Sequence, residues 1–278
     1  MSTTNLMVTY GPPPTYLPIT RNTTCIVSSV SGYDTTGIST DISGYGAIGA
    51  TLISNRHVLL AKHTTPGTTP GASVSFLNAS NTRFTYTITS LQTIGAASCA
   101  GYTDIAIGYL SATVDPSLTY YKVFPSNFLD YLQLGASSST FQFLNPYLPL
   151  FYMDQEKKFL CGDCDGIQYF DICYSLPDPT SPKLSLVFSA DVERYNNSEL
   201  AIGGDSGNII FAPVNGEIVL LGSWYTGSPG IKAVGNQIGI SSFICPHISA
   251  INSAMTTLAG TSYSLTEIDM SLFVDYIP

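Results

Sequence analysis

A serine flanked by glycines is the first feature of this sequence that could do chemistry. Residues 203–207 read Gly-Gly-Asp-Ser-Gly, between a polar stretch and the apolar run at 208–211. Small neighbours let a substrate backbone approach Ser206, and amides in a tight turn can point at the same space, as a nucleophile with an oxyanion hole requires. The same five residues also suit an ordinary β-turn, so the motif alone does not decide between the two.

A serine hydroxyl needs a base to become nucleophilic, and the chain has three histidines, His57, His63 and His247. His63 ends the apolar run at 58–62, which would carry its ring to the edge of a sheet. His57 begins that run directly after a turn and is expected to decorate a hairpin. His247 falls in the first turn of a predicted helix, where a surface or capping role is usual. His63 is therefore the candidate base.

A histidine base needs a shielded carboxylate that fixes its tautomer. Asp104 opens the run Asp-Ile-Ala-Ile-Gly-Tyr at 104–109, whose apolar residues would hold the carboxylate against a core. A buried carboxylate must find donors, and a histidine N–H is one. The alternative is that Asp104 merely ends the polar loop before it.

The cysteines and the charge balance bear on other classes of function. Six cysteines permit three disulfides without requiring them. Cys161 and Cys164 have the spacing of half a zinc site, but no second pair follows, so we expect a turn with free or locally paired thiols and no metal. The net charge is −9 and no basic cluster occurs, which argues against a nucleic-acid partner.

The termini and the hydropathy pattern address membranes and export. No apolar run reaches the roughly 18 residues needed to cross a bilayer, so no membrane partner is expected. Residues 1–16 are polar and rich in proline, where a signal peptide would need an apolar core. Either the chain is not exported by that route or a leader lies outside this sequence. Secretion and association with a virion both stay open.

Short runs rich in Val, Ile, Thr, Tyr and Phe recur between clusters of turn residues, which is the pattern of an all-β sandwich or barrel. The predicted strands are 24–30, 45–53, 57–61, 73–77, 83–90, 104–109, 140–144, 184–188, 208–211, 217–224 and 237–243. One helix is predicted from Pro246 to Leu258, where apolar residues recur at spacings of three and four, and Gly260 suits its end. The stretch 115–137 is the predicted crossover between two halves.

Together these segments resemble the chymotrypsin-like (trypsin-like) serine peptidases, whose catalytic residues follow the chain order His, Asp, Ser. Residues 49–63, ending in Leu-Ala-Lys-His, look like that family's hairpin leading into its histidine, and this register selects His63 over His57. Asp-Ile-Ala-Ile at 104–107 resembles its Asp-Ile-Ala-Leu segment. Gly-Asp-Ser-Gly at 204–207 is similar to its nucleophile loop.

The resemblance implies two six-stranded antiparallel Greek-key β-barrels with a C-terminal helix and an active site between the barrels. Residues 1–22 would be an N-terminal extension, 23–125 the first barrel, 126–260 the second barrel with the helix, and 261–278 an acidic tail able to contact an assembly partner. The implied activity is that of a serine endopeptidase acting on a polypeptide through an acyl-enzyme, without a cofactor. His63, Asp104 and Ser206 would form its catalytic triad, with the amides of Gly204 and Ser206 as the oxyanion hole.

The resemblance also implies where a substrate would bind. The floor of the primary pocket falls at Leu200, or at Glu199 if loop lengths differ by one; Leu200 argues against a Lys or Arg preference, and Glu199 would restore it. Ser223 and Trp224 match the Ser-Trp pair on the strand that hydrogen-bonds extended substrates. Tyr225 stands where many members have Gly, which favours a small or apolar residue on the acyl side of the cut.

Departures from the family pattern narrow the expectation further. The cysteine that commonly comes directly after the catalytic histidine of that family is missing, since Thr64 follows His63, and Asn208 replaces a common glycine. No Arg/Lys-Ile-Val-Gly-Gly cleavage site precedes His63, so we do not expect a new N-terminal amine to pair with Asp205. These differences indicate a divergent member of microbial or viral type. The alternative is a catalytically idle or self-cleaving protease fold that serves as a structural protein of a virion or another assembly.

Overall fold

The computed structural model describes residues 7–10, 17–22, 33–43, 48–64, 70–94, 103–137, 141–168, 170–171, 176–177 and 182–271. Within these ranges the chain forms eighteen β-strands and two α-helices. The strands build one six-stranded sheet, one eight-stranded sheet and two small hairpins. The predicted all-β fold with two barrels and a C-terminal helix is thereby confirmed.

The first barrel is a six-stranded antiparallel sheet in the order β3-β6-β7-β8-β5-β4. Its strands are β3 (Asp41–Ile42), β4 (Ala50–Leu52), β5 (His57–Leu60), β6 (Ser73–Leu77), β7 (Arg83–Thr93) and β8 (Ala106–Leu110). The two edges of the sheet approach each other through the segment before β3, because Ser39 N–H donates to Ala50 and Thr40 N–H donates to Ser75. The sheet therefore curls around its own core, which includes Phe76.

The second barrel is formed by six strands of the eight-stranded sheet in the order β11-β12-β15-β18-β17-β16, and pairing of β11 with β16 closes it. These strands are β11 (Phe141–Met153), β12 (Phe159–Gln168), β15 (Lys183–Val187), β16 (Ile209–Val214), β17 (Glu217–Gly227) and β18 (Gln237–Phe243). Two more strands join from outside, β9 (Lys122–Val123) parallel to β17 and β10 (Leu134–Ser137) antiparallel to β11.

Four short strands and one short helix lie outside the two main sheets. The hairpins are β1 (Met7–Tyr10) with β2 (Leu17–Arg21), and β13 (Phe170–Asp171) with β14 (Leu176–Pro177). Helix α1 is the short segment Val192–Asn196, capped by Asp191, whose side chain accepts from Arg194 N–H.

A third apolar core lies between the two barrels. Side chains alternate between faces along a strand, so β5 sends Val58 and Leu60 into the first barrel and Leu59 outward. In the same way β16 sends Ile209 and Phe211 outward from the second barrel. The outward residues of both barrels meet, and this explains why these strands are apolar on both faces.

The C-terminal helix seals this inter-barrel core. Cys245–His247 forms a 3₁₀ turn that contains the predicted start at Pro246, and helix α2 follows at Ile248–Ala259. Gly260 ends it at φ 68°, the left-handed conformation that glycine adopts readily, as predicted. Although α2 follows the second barrel in the chain, it packs against β7 and β8 of the first.

Several predicted elements need correction. Cys161 and Cys164 lie in strand β12 and not in a turn, and they are free thiols. Glycines and aspartates within β12 gave it a low strand propensity, and the strand was missed although most of it is buried. The crossover at 115–137 contains β9, which already pairs with the second barrel before residue 126. The predicted strand 24–30 and Cys25, Cys99 and Cys173 lie outside the described residues.

His57 holds helix α2 against the first barrel. Its Nε2 donates to the Met255 carbonyl at 3.1 Å, which leaves Nδ1 to accept from the Ser54 hydroxyl at 2.8 Å. The ring is fully buried, so the expectation that it decorates a hairpin was wrong. Burial disfavours the charged imidazolium and lowers the pKa of His57 to about 4.

We expect the fold to lose stability as the pH falls from 6.5 to about 4. Because the pKa of His57 is about 4 in the folded chain and 6.5 normally, the unfolded chain takes up the proton first. The free energy of unfolding therefore falls across this window, by up to about 3 kcal/mol. Urea unfolding of the wild type and of His57→Gln at several pH values isolates this contribution, because carboxylates titrate in both proteins. Parallel pH dependence in the two proteins would contradict the expectation.

Candidate active site

Ser206, His63 and Asp104 lie in one hydrogen-bonded row between the two barrels. His63 Nε2 is 2.7 Å from Ser206 Oγ, and His63 Nδ1 is 2.6 Å from Asp104 Oδ2. The other carboxylate oxygen of Asp104 accepts the backbone N–H of His63 at 2.7 Å. The fold thus brings together the three residues that were predicted from the sequence.

The pairing of two strands positions His63 and Asp104. His63 lies in a 3₁₀ turn directly after β5, and Asp104 directly precedes β8. β5 and β8 are antiparallel, with Leu60 opposite Ala106, so the end of one strand meets the start of the other. The Lys62 N–H donates to the Asp104 carbonyl at 3.3 Å and continues the ladder up to the site.

The environment of Asp104 determines the tautomer of His63. Asp104 is fully buried while the His63 side chain is 30% exposed. Burial raises the pKa of Asp104 above its ordinary value, and the hydrogen bonds from His63 and the nearby charge of Lys183 oppose that rise. Both carboxylate oxygens face N–H donors of His63, so Nδ1 carries the proton and Nε2 is left to accept from the Ser206 hydroxyl.

The loop that carries Ser206 turns through two glycines in the left-handed region, Gly204 at φ 109° and Gly207 at φ 76°. Residues other than glycine rarely adopt these backbone angles. A Cβ at Gly204 would also collide with Gln155 Oε1, and one at Gly207 with the carbonyl of Gly49. Glycine is therefore required at both positions around the serine.

The backbone amides of this loop fall into two sets. The N–H groups of Asp205, Gly207 and Asn208 donate to main-chain carbonyls. For Gly204 and Ser206, the two residues predicted as oxyanion donors, no main-chain or side-chain acceptor occurs in the part of the chain that the structure describes. Two uncommitted donors beside a serine hydroxyl are what stabilisation of a developing oxyanion requires.

Asp205 anchors the loop from beneath. Its side chain is buried, and its two oxygens accept the backbone N–H groups of Gln155 at 2.8 Å and Ile202 at 2.7 Å. Burial raises the pKa of Asp205 to about 6. Main-chain N–H groups therefore occupy both oxygens of the Asp205 carboxylate. This is the group with which we did not expect a new N-terminal amine to pair.

A buried lysine supports the same loop from the other side. Lys157 Nζ donates to Asn208 Oδ1 at 2.7 Å, and Asn208 Nδ2 donates to the Asp205 carbonyl at 3.1 Å. Lys157 is 1% exposed, and burial lowers its pKa to about 8. The sequence reasoning missed this residue, because nothing in the exposed-looking run Asp-Gln-Glu-Lys-Lys at 154–158 marks one lysine as internal.

One backbone contact joins the nucleophile to the opposite barrel. The Gly49 N–H, just before β4, donates to the Ser206 carbonyl at 3.0 Å. A Cβ at Gly49 would lie 2.5 Å from the backbone N and Cα of Asn208. The barrels approach this closely only because residue 49 has no side chain.

The residues predicted to line a primary pocket are engaged in other contacts. Leu200 packs, partly buried, against the second-barrel core. The Glu199 carboxylate pairs with Lys158 Nζ at 2.7 Å and is half exposed. Between Leu200 and Ser206, the carbonyl of Ala201 lies where a Cβ of Gly227 would be, so the loop packs directly on β17.

Of the strand residues predicted to bind substrate, one lies beside the histidine. Trp224 is 1% exposed, belongs to the second-barrel core and donates its indole N–H to the Met153 carbonyl at 3.0 Å. Its ring therefore lies in the core, and the prediction that the strand at Ser223 and Trp224 hydrogen-bonds an extended substrate stays a prediction. The Ser223 side chain is likewise fully buried. The Tyr225 ring, by contrast, stands perpendicular to His63 with centroids 6.1 Å apart.

Comparisons with known proteins leave the function to be argued from this geometry. No protein-family model matches the sequence, and no curated protein matches it significantly. Among the described residues, no group of three or more His, Cys, Asp or Glu side chains is placed to hold a metal ion. No helix in the same residues is long and apolar enough to cross a bilayer.

We expect Gly49→Ala to destabilise the protein by about 1–3 kcal/mol, because the added methyl group forces the barrels apart at Asn208. Gly203→Ala in the same nucleophile loop is the matched control, since a Cβ there meets nothing within 4 Å. Thermal unfolding of both variants measures the difference. A Gly49→Ala protein as stable as Gly203→Ala would show that the barrels do not depend on this contact.

Proposed function

We propose that the protein is a serine endopeptidase of the chymotrypsin-like family. One observation carries the proposal, the unbroken row from Ser206 Oγ to His63 Nε2 at 2.7 Å and from His63 Nδ1 to Asp104 Oδ2 at 2.6 Å. In this arrangement Ser206 is the nucleophile, His63 the general base and acid, and Asp104 the carboxylate that orients His63. The two-barrel fold and the chain order of the three residues support the family assignment.

Each group has a defined part in acyl transfer. Ser206 Oγ attacks the scissile carbonyl carbon as its proton passes to His63 Nε2, and Asp104 stabilises the resulting imidazolium. The backbone N–H groups of Gly204 and Ser206 donate to the oxyanion, and in comparable sites each such donor stabilises the transition state by about 3 kcal/mol. The imidazolium then protonates the leaving amine, and water, activated by the same histidine, hydrolyses the acyl-enzyme.

The cost of this arrangement supports a catalytic purpose. A carboxylate removed from water is destabilising unless donors satisfy it, and an apolar side chain would fill the same site without that cost. Asp104 is fully buried, and both of its oxygens are directed at His63. A protein that used this fold only for assembly would gain nothing from the row.

We expect Ser206→Ala to abolish covalent labelling by a fluorophosphonate probe, because the probe bonds to the serine oxygen. His63→Ala and Asp104→Asn should slow labelling by about 10³- to 10⁴-fold, since each removes the base or its orientation. Mass spectrometry of the labelled protein reports the site and the rate. Ser80→Ala, at an exposed serine, is the control and should label as the wild type does.

Two outcomes, one of the labelling experiment and one of labelling combined with a peptide-cleavage assay, would oppose the proposal. Undiminished labelling of Ser206→Ala would remove Ser206 from the mechanism. A folded wild-type protein that neither labels nor cleaves any member of a diverse peptide library would favour the non-catalytic, assembly-related alternative.

We expect cleavage of a peptide library to show a small or apolar residue on the acyl side of the cut. The packing of Ala201 against Gly227 and Gly239 leaves little room for a long side chain beside the nucleophile loop, and Glu199 is paired with Lys158. Glu199→Ala should leave the preference unchanged. A preference for Lys or Arg that disappears in Glu199→Ala would identify Glu199 as the pocket floor instead.

A further inference from the structure

Lys157, the buried lysine beneath the nucleophile loop, takes no direct part in acyl transfer. Its ammonium group donates to Asn208 Oδ1 at 2.7 Å, and Asn208 Nδ2 in turn donates to the Asp205 carbonyl at 3.1 Å. Lys157 and Asn208 are each 1% exposed. Two hydrogen bonds shielded from water therefore connect the lysine to the residue that directly precedes Ser206.

The Asp205 carbonyl belongs to the same peptide unit as the Ser206 N–H. A peptide bond is planar and trans, so its C=O and N–H groups point in opposite directions. The Asp205 carbonyl accepts from the backbone N–H of Asn208 at 3.0 Å as well as from the Asn208 side chain. Two donors of one residue thus hold the carbonyl oxygen, and the Ser206 N–H is directed away from Asn208.

Lys157 determines which end of the Asn208 amide faces this carbonyl. An ammonium group has donors only, so the Asn208 atom beside it must be the oxygen Oδ1, and the Nδ2 donor is left for the Asp205 carbonyl. Burial lowers the pKa of Lys157 to about 8, so the group still carries its proton at pH 7. The lysine therefore selects the amide orientation in which Asn208 can hold the peptide unit.

The backbone of the turn between β11 and β12 does not by itself explain a lysine at residue 157. Lys157 has φ 58°, in the left-handed region that glycine and asparagine adopt more readily. Its neighbour Lys158 points outward, where Nζ pairs with the half-exposed Glu199 at 2.7 Å. Of these two adjacent lysines, only the side chain of Lys157 reaches the nucleophile loop.

We propose that Lys157 is a positioning residue for the oxyanion hole, an inference that rests on the proposed function. Through the Asn208 amide it fixes the Asp205–Ser206 peptide unit, and with it the direction of the Ser206 N–H. That N–H is one of the two proposed oxyanion donors, and such a donor acts as charge develops in the transition state. Loss of the lysine should therefore slow the chemical step without weakening the binding of substrate.

The first test is Lys157→Met, measured by fluorophosphonate labelling and by the kinetics of peptide cleavage. Loss of one oxyanion donor lowers kcat by about 10²- to 10³-fold in comparable sites, so a misdirected donor should lower kcat and the labelling rate by about 10- to 100-fold, with KM unchanged. Lys158→Met, in the same turn, is the matched control and should behave as the wild type does. Wild-type rates in Lys157→Met, or a raised KM with kcat unchanged, would overturn the proposal.

Asn208→Asp separates the orientation of the amide from the mere presence of a bond to Lys157. A carboxylate at residue 208 still accepts from the Lys157 ammonium, so the buried cation stays paired, but it has no N–H for the Asp205 carbonyl. We expect labelling to slow by the same 10- to 100-fold. If Asn208→Asp labels at the wild-type rate, the amide does not fix the peptide unit and the proposal fails.

Should Lys157→Met fail to fold, the double variant Lys157→Met/Asn208→Leu removes both partners of the bond. Replacing both partners by apolar groups of similar shape is nearly neutral for stability, whereas removing one leaves a buried polar group unsatisfied. Thermal unfolding checks that the double variant is folded, and its labelling should be slowed as in Asn208→Asp. A folded double variant that labels at the wild-type rate would refute the role of Lys157.

Crystal structures separate this inference from the proposed function, because they report the peptide unit without any catalysis. In the wild type the Asp205 carbonyl should face Asn208, and in Lys157→Met or Asn208→Asp the 205–206 peptide unit should have rotated. An unchanged peptide unit in these variants would overturn the positioning role even if labelling had slowed. Failure of the wild type to label would overturn the peptidase proposal, and the orientation of the peptide unit would still decide the role of Lys157.

Discussion

The Asp104 carboxylate is fully buried, and its need for donors constrains everything around it. Its two oxygens accept from the backbone and the ring of one residue, His63. That geometry requires the end of β5 and the start of β8 to be neighbours, which the antiparallel register of the first barrel provides. Once the ring is held by Asp104, only Nε2 remains to face the second barrel. The orientation of the histidine is thus a consequence of strand pairing and burial together.

The second barrel completes the row by presenting Ser206 at short range. The approach depends on glycine at residues 49 and 207. There the two barrels pass so closely that a Cβ on either residue would collide with the backbone of the other barrel. The apolar core between the barrels holds them at this distance, with Leu59 from one side and Ile209 and Phe211 from the other. Burial of such area stabilises the association by roughly 25 cal/mol per Å². The chemistry of the site therefore depends on packing well away from the reacting atoms.

Much of this arrangement could be predicted from the sequence, for identifiable reasons. The strands 73–77 and 237–243 were predicted with their observed bounds, since turn residues delimit them. His63 could be preferred to His57 because it ends an apolar run. The environment of Trp224 could not be predicted, because β17 is buried on both faces from Ile218 to Trp224 and its apolar run has no readable period of two.

Helix α2 has a consequence for the order in which the molecule can form. It covers β7 and β8, which are synthesised before the second barrel, yet its own residues follow both barrels in the chain. Domains generally fold from the N-terminus as the ribosome releases them, but here the first barrel keeps an uncovered apolar face until Ala259 has emerged. The nascent first barrel is therefore an incomplete folding unit, and the row that spans the barrels is assembled only after α2 has been made. A chain interrupted before α2 would expose its inter-barrel face to aggregation and would lack a finished site.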